Sequence, residues 1–108
     1  MRLYHNPRCS KSRKVVSILQ QHGVEFEDYR YLERGISPED MVVLLELEDV
    51  IRLDDISDKS EYDLSERGEL ERLLKVEPKA LQRPILIHNG NAVIGRPPEK
   101  ILTLLLDF

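Results

Sequence analysis

The chain has a single cysteine, Cys9, among its 108 residues. One cysteine can make no intrachain disulfide, and it excludes a cysteine-based zinc cluster within the chain. That scarcity points to a reducing, cytoplasmic setting. Long hydrophobic runs are missing too. The two longest, residues 41–45 and residues 102–106 with Thr103 inside, fall far short of the roughly 18 residues a membrane span requires. No apolar leader opens the sequence, which goes straight into a strand-like run, so no membrane association is expected. Positive charge is not in excess. The formal net charge of −4 argues against non-specific nucleic-acid binding, although it leaves room for a local cationic pocket. No Pro-, Gly- or Ser-rich linker and no internal repeat divides the chain. With a hydrophobic share of 41% and a charged share of 33%, residues 1–108 are expected to fold as one globular domain. The acid-rich segments, residues 46–55 and 58–71, lack the spacing of a metal site and read as solvated helix faces.

Chemistry is densest in Tyr4-His5-Asn6-Pro7-Arg8-Cys9-Ser10-Lys11-Ser12-Arg13. Residues 1–5 can make a short buried strand, and Val15, Val16, Ile18 and Leu19 recur at helical spacing, so a helix is expected to begin near Ser10. Cys9 then sits at the helix N-terminus, where unpaired backbone N–H groups and the positive end of the helix dipole gather. Both favour a thiolate over a thiol, and the same groups can hold an oxyanion. Arg8, Lys11 and Arg13 add positive charge, and His5 adds more if it is protonated.

Further along, His22-Gly23 is a helix stop, with Gly23 able to take the left-handed cap. Residues 24–31 alternate loosely and read as a second strand, parallel to the first because a helix connects them. Ser37-Pro38-Glu39-Asp40 reads as a helix start, and the helix is expected to run to about Glu48 with Val42, Leu44 and Leu45 inward. Ile51, Leu53 and Ile56 suggest a short turn or helix. Another helix is expected over 65–76, with Leu70, Leu73 and Leu74 inward. Residues 84–88, the turn Asn89-Gly90 and residues 91–94 read as a β-hairpin. A closing helix carries Ile101, Leu102, Leu104 and Leu105. The order is β-α-β, a helical insert at about 36–80, a β-hairpin and a helix. That is a thioredoxin-like α/β arrangement, a mixed four-stranded sheet with helices on both faces. Pro84, at the start of the third strand, suits a cis peptide bond.

Several residues can serve the thiol. Cys9 reads as a reactive thiolate rather than a small buried hydrophobe, because a tight polar loop and basic groups frame it. His5 is either a partner that stabilises the thiolate or a strand-end histidine capping the loop. Ser12 either donates to the sulfur or only caps the helix. Arg13 either faces the pocket or is a solvated helix residue. Arg83 and Arg96 stand on turns next to prolines, where two guanidiniums can clamp a tetrahedral oxyanion. Otherwise they are surface charges. His22 and His88 read as structural.

The decapeptide around Cys9 resembles the opening motif of the glutaredoxin-dependent arsenate reductases. Arg83-Pro84-Ile85 resembles their second motif and Gly95-Arg96-Pro97-Pro98-Glu99 their third. The likeness covers nearly the whole chain. It implies that Cys9 attacks arsenate to give a thiol–arsenate adduct, that glutathione then displaces water at arsenic, and that a glutaredoxin takes over the mixed disulfide as arsenite leaves. No bound cofactor is implied, glutathione being a co-substrate. In the family the histidine matching His5 lowers the thiol pKa, and Arg83 and Arg96 match two members of an oxyanion-binding arginine triad. The first member falls at or near Ile56, which cannot bind an anion; Arg52, close by, is the candidate substitute.

The chain ends soon after its last helix, so it reads as a short member. A related branch of transcription regulators carries a Cys-x-x-Cys pair. Here the position three after Cys9 is Ser12, so that internal redox switch is absent. The resemblance therefore leaves two alternatives beside arsenate reduction. One is a thiol oxidoreductase acting on another oxyanion or on protein–glutathione mixed disulfides. The other is a non-enzymatic partner-binding module.

Overall fold

Alternation along a strand decides which way each side chain points, and β1 (Arg2–Tyr4) divides the core in three residues. Leu3 turns to one face of the sheet and Tyr4 to the other. The computed structural model describes residues 1–105; Leu106, at the end of the second apolar run, and the two residues after it lie outside them. Beyond β1 and a tight loop comes α1 (Ser10–Gln21), which buries Val15, Ile18 and Leu19. It stops where predicted: Gly23 takes φ 64° and its amide donates to the Gln20 carbonyl.

β2 (Glu27–Tyr29) is parallel to β1, as expected, with Tyr4 opposite Tyr29. It is shorter than the predicted 24–31 because β1 offers only three residues to pair with. Val24 and Phe26 pack instead among the α1 residues, and Tyr31 opens a short helix, α2 (Tyr31–Arg34).

The helix predicted from Ser37 onward is α3 (Pro38–Leu45), with Glu39 and Asp40 in its first turn. Its inward face is Asp40, Met41 and Leu44. Val42, expected inside, is 62% exposed, because at 100° per residue it points away from the line through 41 and 44. The helix also ends before Glu48, and Asp49 then takes φ 56°, which no helix continues. Two short 3₁₀ turns follow, Leu53–Asp55 and Lys59–Glu61, and then α4 (Arg67–Val76). It buries Leu73 and Leu74, while Leu70 is half-buried.

β3 (Ile85–His88) and β4 (Asn91–Ile94) form the predicted hairpin, with Asn89 and Gly90 both at positive φ as a type I′ turn demands. A 3₁₀ turn, Pro98–Ile101, leads into α5 (Leu102–Leu105).

The sheet order is β2-β1-β3-β4, with β3 antiparallel to β1. Residues of α1 and α5 cover the face that carries Leu3 and Leu86, whereas α2, α3 and α4 cover the face that carries Tyr4, Tyr29, Ile85 and Ile87. This is the thioredoxin-like arrangement. A third, smaller cluster joins Ile56, Tyr62, Leu73 and Ala80 beneath the 3₁₀ turns.

Antiparallel pairing sets Tyr4 opposite Ile85. The loop leaving β1 therefore lies beside the loop entering β3, which brings Cys9 and Arg83 to one edge of the fold. Gly95 holds the third loop against them. Its amide donates to the Pro84 carbonyl at 2.8 Å, and a Cβ there would stand 2.9 Å from both the Pro84 ring and a Val15 methyl. Neither neighbour can swing aside, so Gly95→Ala is expected to cost ~1–3 kcal/mol. A lowered urea midpoint with an unchanged slope checks it, and a midpoint equal to wild type contradicts the packing argument.

Candidate active site

The loop before α1 is built by Asn6. Its side-chain oxygen accepts from the Arg8 amide and its carbonyl from the Cys9 amide, both at 3.0 Å. Those bonds turn the chain through Pro7 and leave Cys9 as the N-cap of α1 with extended backbone, φ −91° and ψ 123°. Its sulfur is half-buried and carries no disulfide. Burial by itself opposes ionisation. The backbone amides of Ser12 and Lys11, then the charges of Arg96 and Arg83, outweigh it and hold the thiol below its ordinary pKa. Neither amide makes a full capping hydrogen bond to the side chain. The geometry is that of an anion cradle at a helix N-terminus, looser than a hydrogen-bonded cap. Arg96 makes the direct contact, donating from Nη2 to Cys9 Sγ at 3.8 Å.

The residues expected to help the thiol divide. His5 is buried, and its Nδ1 lies 2.5 Å from Ser12 Oγ, which also accepts from the Asn6 amide at 3.1 Å. The Ser12 hydroxyl is thus engaged with His5 and Asn6, and only its amide works on the sulfur. Desolvation pushes the His5 pKa down, helped by Arg30 and Arg13 and opposed by Asp28. Burial thus disfavours a charge on the ring, and its bond to Ser12 pins the loop that presents Cys9. Arg13, expected near the thiolate, instead turns its exposed guanidinium to the Pro7 carbonyl at 2.9 Å. The side chains of Arg8 and Lys11 are exposed. Of the nearby basic residues, those that act on the sulfur arrive from distant loops.

Arg83 and Arg96 both reach the site. Each precedes a cis proline, the Arg83–Pro84 bond as the sequence suggested and the Arg96–Pro97 bond in addition. Arg96 Nε donates to the Arg83 carbonyl at 2.7 Å, which locks the two turns together. Arg52 joins them through a residue the sequence reading had set in a solvated acidic face. Asp55 Oδ2 accepts from Arg52 Nε at 2.7 Å and from Arg83 Nη1 at 3.0 Å. Arg52 Nη1 also donates to Gln82 at 2.8 Å. Ile56 does not line this cluster; it packs in the small core with Tyr62, Leu73 and Ala80.

Tyr31 is the other residue missed. It was assigned to the end of a strand, yet it is fully buried and its hydroxyl has no hydrogen-bond partner among the described residues. Arg83 Nε is buried and unpartnered in the same way. An i,i+3 Arg52–Asp55 pair could have been read from the sequence; nothing local marks Tyr31.

His22 Nδ1 lies 2.9 Å from the Ile18 carbonyl, a helix-end role. His88 stands at the end of β3 beside Asn89. A cavity of about 360 Å³ lies outside the loop, lined by His5, Asn6, Pro7, Arg8, Arg30, Leu32 and Glu33. The sulfur and the site arginines do not line it, so the chemistry is placed at the arginine cluster rather than there. Among the described residues no group of His, Cys, Asp or Glu could hold a metal ion, and no helix is long and apolar enough to cross a membrane.

The ArsC family profile matches residues 4–104. The uncharacterised Escherichia coli K12 protein YfgD is 36% identical, over 97% of this chain and 96% of that protein. An arsenate reductase of Neisseria meningitidis is 32% identical over 97% of each. Among solved structures, an arsenate reductase from Vibrio cholerae superposes with a TM-score of 0.76 at 32% identity, covering 95% of this chain and 97% of that one.

The lowered thiol pKa sets a direction for alkylation. The reactive thiolate forms at lower pH than for a free thiol, so the midpoint of the iodoacetamide rate against pH is expected below ~8.5. Arg96→Gln is expected to raise that midpoint and Arg13→Gln to leave it in place. The reverse pattern would mean that the charges acting on the sulfur are misassigned.

Proposed function

This chain belongs to the ArsC family, and we propose that it reduces arsenate to arsenite, with Cys9 as nucleophile and with glutathione and a glutaredoxin as the reducing partners. The observation that carries this reading is the sulfur at the α1 N-terminus with Arg96 in contact and Arg83 alongside. A tetrahedral dianion approaching there meets two guanidiniums and the helix amides.

In this reading the Cys9 thiolate attacks arsenic, and one arsenate oxygen takes up protons and departs as water. Arg83 and Arg96 disperse the charge on the remaining oxygens. Glutathione then displaces a second oxygen from arsenic as water, and a glutaredoxin thiol takes the glutathione off as a mixed disulfide, leaving the electron pair of the broken As–S bond on arsenic. Arsenic gains two electrons as the two external thiols lose them, and water then cleaves the Cys9–arsenic bond, releasing arsenite and regenerating the Cys9 thiol. A single cysteine suffices because the resolving thiols come from outside. His5 and Ser12 act by holding the loop, and none of these steps passes a proton through His5.

A second reading keeps the thiol chemistry and changes the substrate to another oxyanion or a protein–glutathione mixed disulfide. The pairing of Arg52 and Arg83 with Asp55 favours it, since two of the three clustered guanidiniums are already engaged by a carboxylate.

The test supplies arsenate, glutathione, glutaredoxin and its NADPH-driven recycling system. NADPH consumption is expected with the intact protein and loss of at least 10³-fold with Cys9→Ser, on the scale of removing a nucleophile. Turnover of a glutathionylated substrate with none of arsenate would move the assignment to the second reading. Turnover of neither would sink both.

A further inference from the structure

The arginine cluster already holds an anion, supplied by the chain itself. One carboxylate oxygen of Asp55 receives both Arg52 Nε and Arg83 Nη1. The geometry around it is well determined by backbone bonds. Ile51 and Leu81 form an antiparallel bridge, the Arg52 amide donates to the Ala80 carbonyl and the Gln82 amide to the Val50 carbonyl, each at 2.7 Å. The strip carrying Arg52 and Asp55 is thereby tied to the strip carrying Arg83.

Yet the carboxylate satisfies the cluster poorly. Arg83 Nε and the Tyr31 hydroxyl are buried with no partner among the described residues, and a donor left so has lost its water without gaining an acceptor. Tyr31 packs in the same core cluster as Val50, Leu81 and Ile85, each two positions along the chain from Arg52 or Arg83. Its phenol senses the charges of Arg83, Cys9, Arg52 and Asp55. Burial pushes its pKa up to about 12, so it remains a donor at neutral pH.

We propose that Asp55 is the resident occupant of the oxyanion berth, that an incoming tetrahedral oxyanion displaces its carboxylate from Arg83 and Arg52, and that the Tyr31 hydroxyl then donates to that oxyanion. A tetrahedral anion offers four oxygens. It can accept from the Arg83 fork through both Nε and Nη, and from Tyr31 and Arg96, where the planar carboxylate uses one oxygen. Asp55 can leave. It stands on a three-residue 3₁₀ turn whose Leu53 and Asp54 face water, and it is itself a third exposed. Arg52 and then Arg83 keep its pKa low, so it competes as a full negative charge. Displacement therefore favours multiply charged oxyanions over a simple carboxylate. The inference rests on reading this edge as an oxyanion site and not on the redox steps that follow.

The experiment is equilibrium binding of arsenate by calorimetry with no glutathione or glutaredoxin present, on the full chain. Asp55→Asn keeps the shape and removes the competing charge; it is expected to tighten binding about tenfold, ~1.4 kcal/mol. Tyr31→Phe, which removes only the hydroxyl, is expected to weaken binding at least threefold in both the wild-type and the Asp55→Asn backgrounds. Thermal melts establish that each variant is folded; should Asp55→Asn not fold, Asp55→Ser carries the same expectation. An Asp55→Asn affinity within twofold of wild type or weaker overturns the proposal, as do an unchanged Tyr31→Phe affinity and an absence of binding in every protein. Loss of arsenate turnover with these binding changes intact would sink the reductase reading alone. Turnover without them would sink this inference alone.

Discussion

Everything at the functional edge follows from the antiparallel pairing of β1 with β3. Three residues of one strand lie against three of the other, with Tyr4 opposite Ile85, and the ends of those strands decide which loops meet. Because β1 leaves the sheet where β3 enters it, the loop carrying Cys9 and the turn carrying Arg83 share an edge. Gly95 then lets the third loop approach closely enough for Arg96 to bind the Arg83 carbonyl and touch the sulfur. A shift of β1 by one residue in that register would turn Leu3 onto the face of Ile85 and Tyr4 onto that of Leu86, mixing the two cores as well as dispersing the site.

The electrostatics of the sulfur illustrate how sequence proximity misleads. Arg8, Lys11 and Arg13 are its neighbours along the chain, and their side chains lie in solvent or on the Pro7 carbonyl. What favours the thiolate comes from amides two and three residues into α1 and from arginines more than seventy residues away. Water screens an exposed cation, whereas a half-buried guanidinium beside a half-buried sulfur is screened far less. Of the two parts open to the buried His5, the contacts are those of the loop-capping one: it anchors Ser12, and Ser12 with Asn6 holds the loop.

Among the described residues, the buried side-chain polar atoms without a partner are Arg83 Nε and the Tyr31 hydroxyl. Other buried polar side chains among the described residues are matched: Tyr4 donates to Asp40, Asp40 also receives Arg2, and the Ser37 amide reaches the Tyr4 oxygen. At the arginines one oxygen serves two guanidiniums while the buried Arg83 Nε stands unmatched. Such a mismatch is what a site shaped for a different anion leaves behind when only a carboxylate is at hand.

Local patterns carried the sequence reading a long way. The helical spacing after Cys9, the Asn89-Gly90 turn and the parallel β1–β2 pair were legible because each depends on residues adjacent in the chain. Cys9 at a helix N-terminus was legible for the same reason, and the arginines at 83 and 96 through their motifs. The length of β2, the outward turn of Val42, the core position of Ile56, the meeting of Asp55 with Arg83 and the burial of Tyr31 were not. Those outcomes depend on how much partner surface a strand or helix finds once the layers close. Spacing along the chain determined which chemistry this protein owns. Only the packing of its layers, which sets burial and brings distant charges together, decided which of those groups face one another.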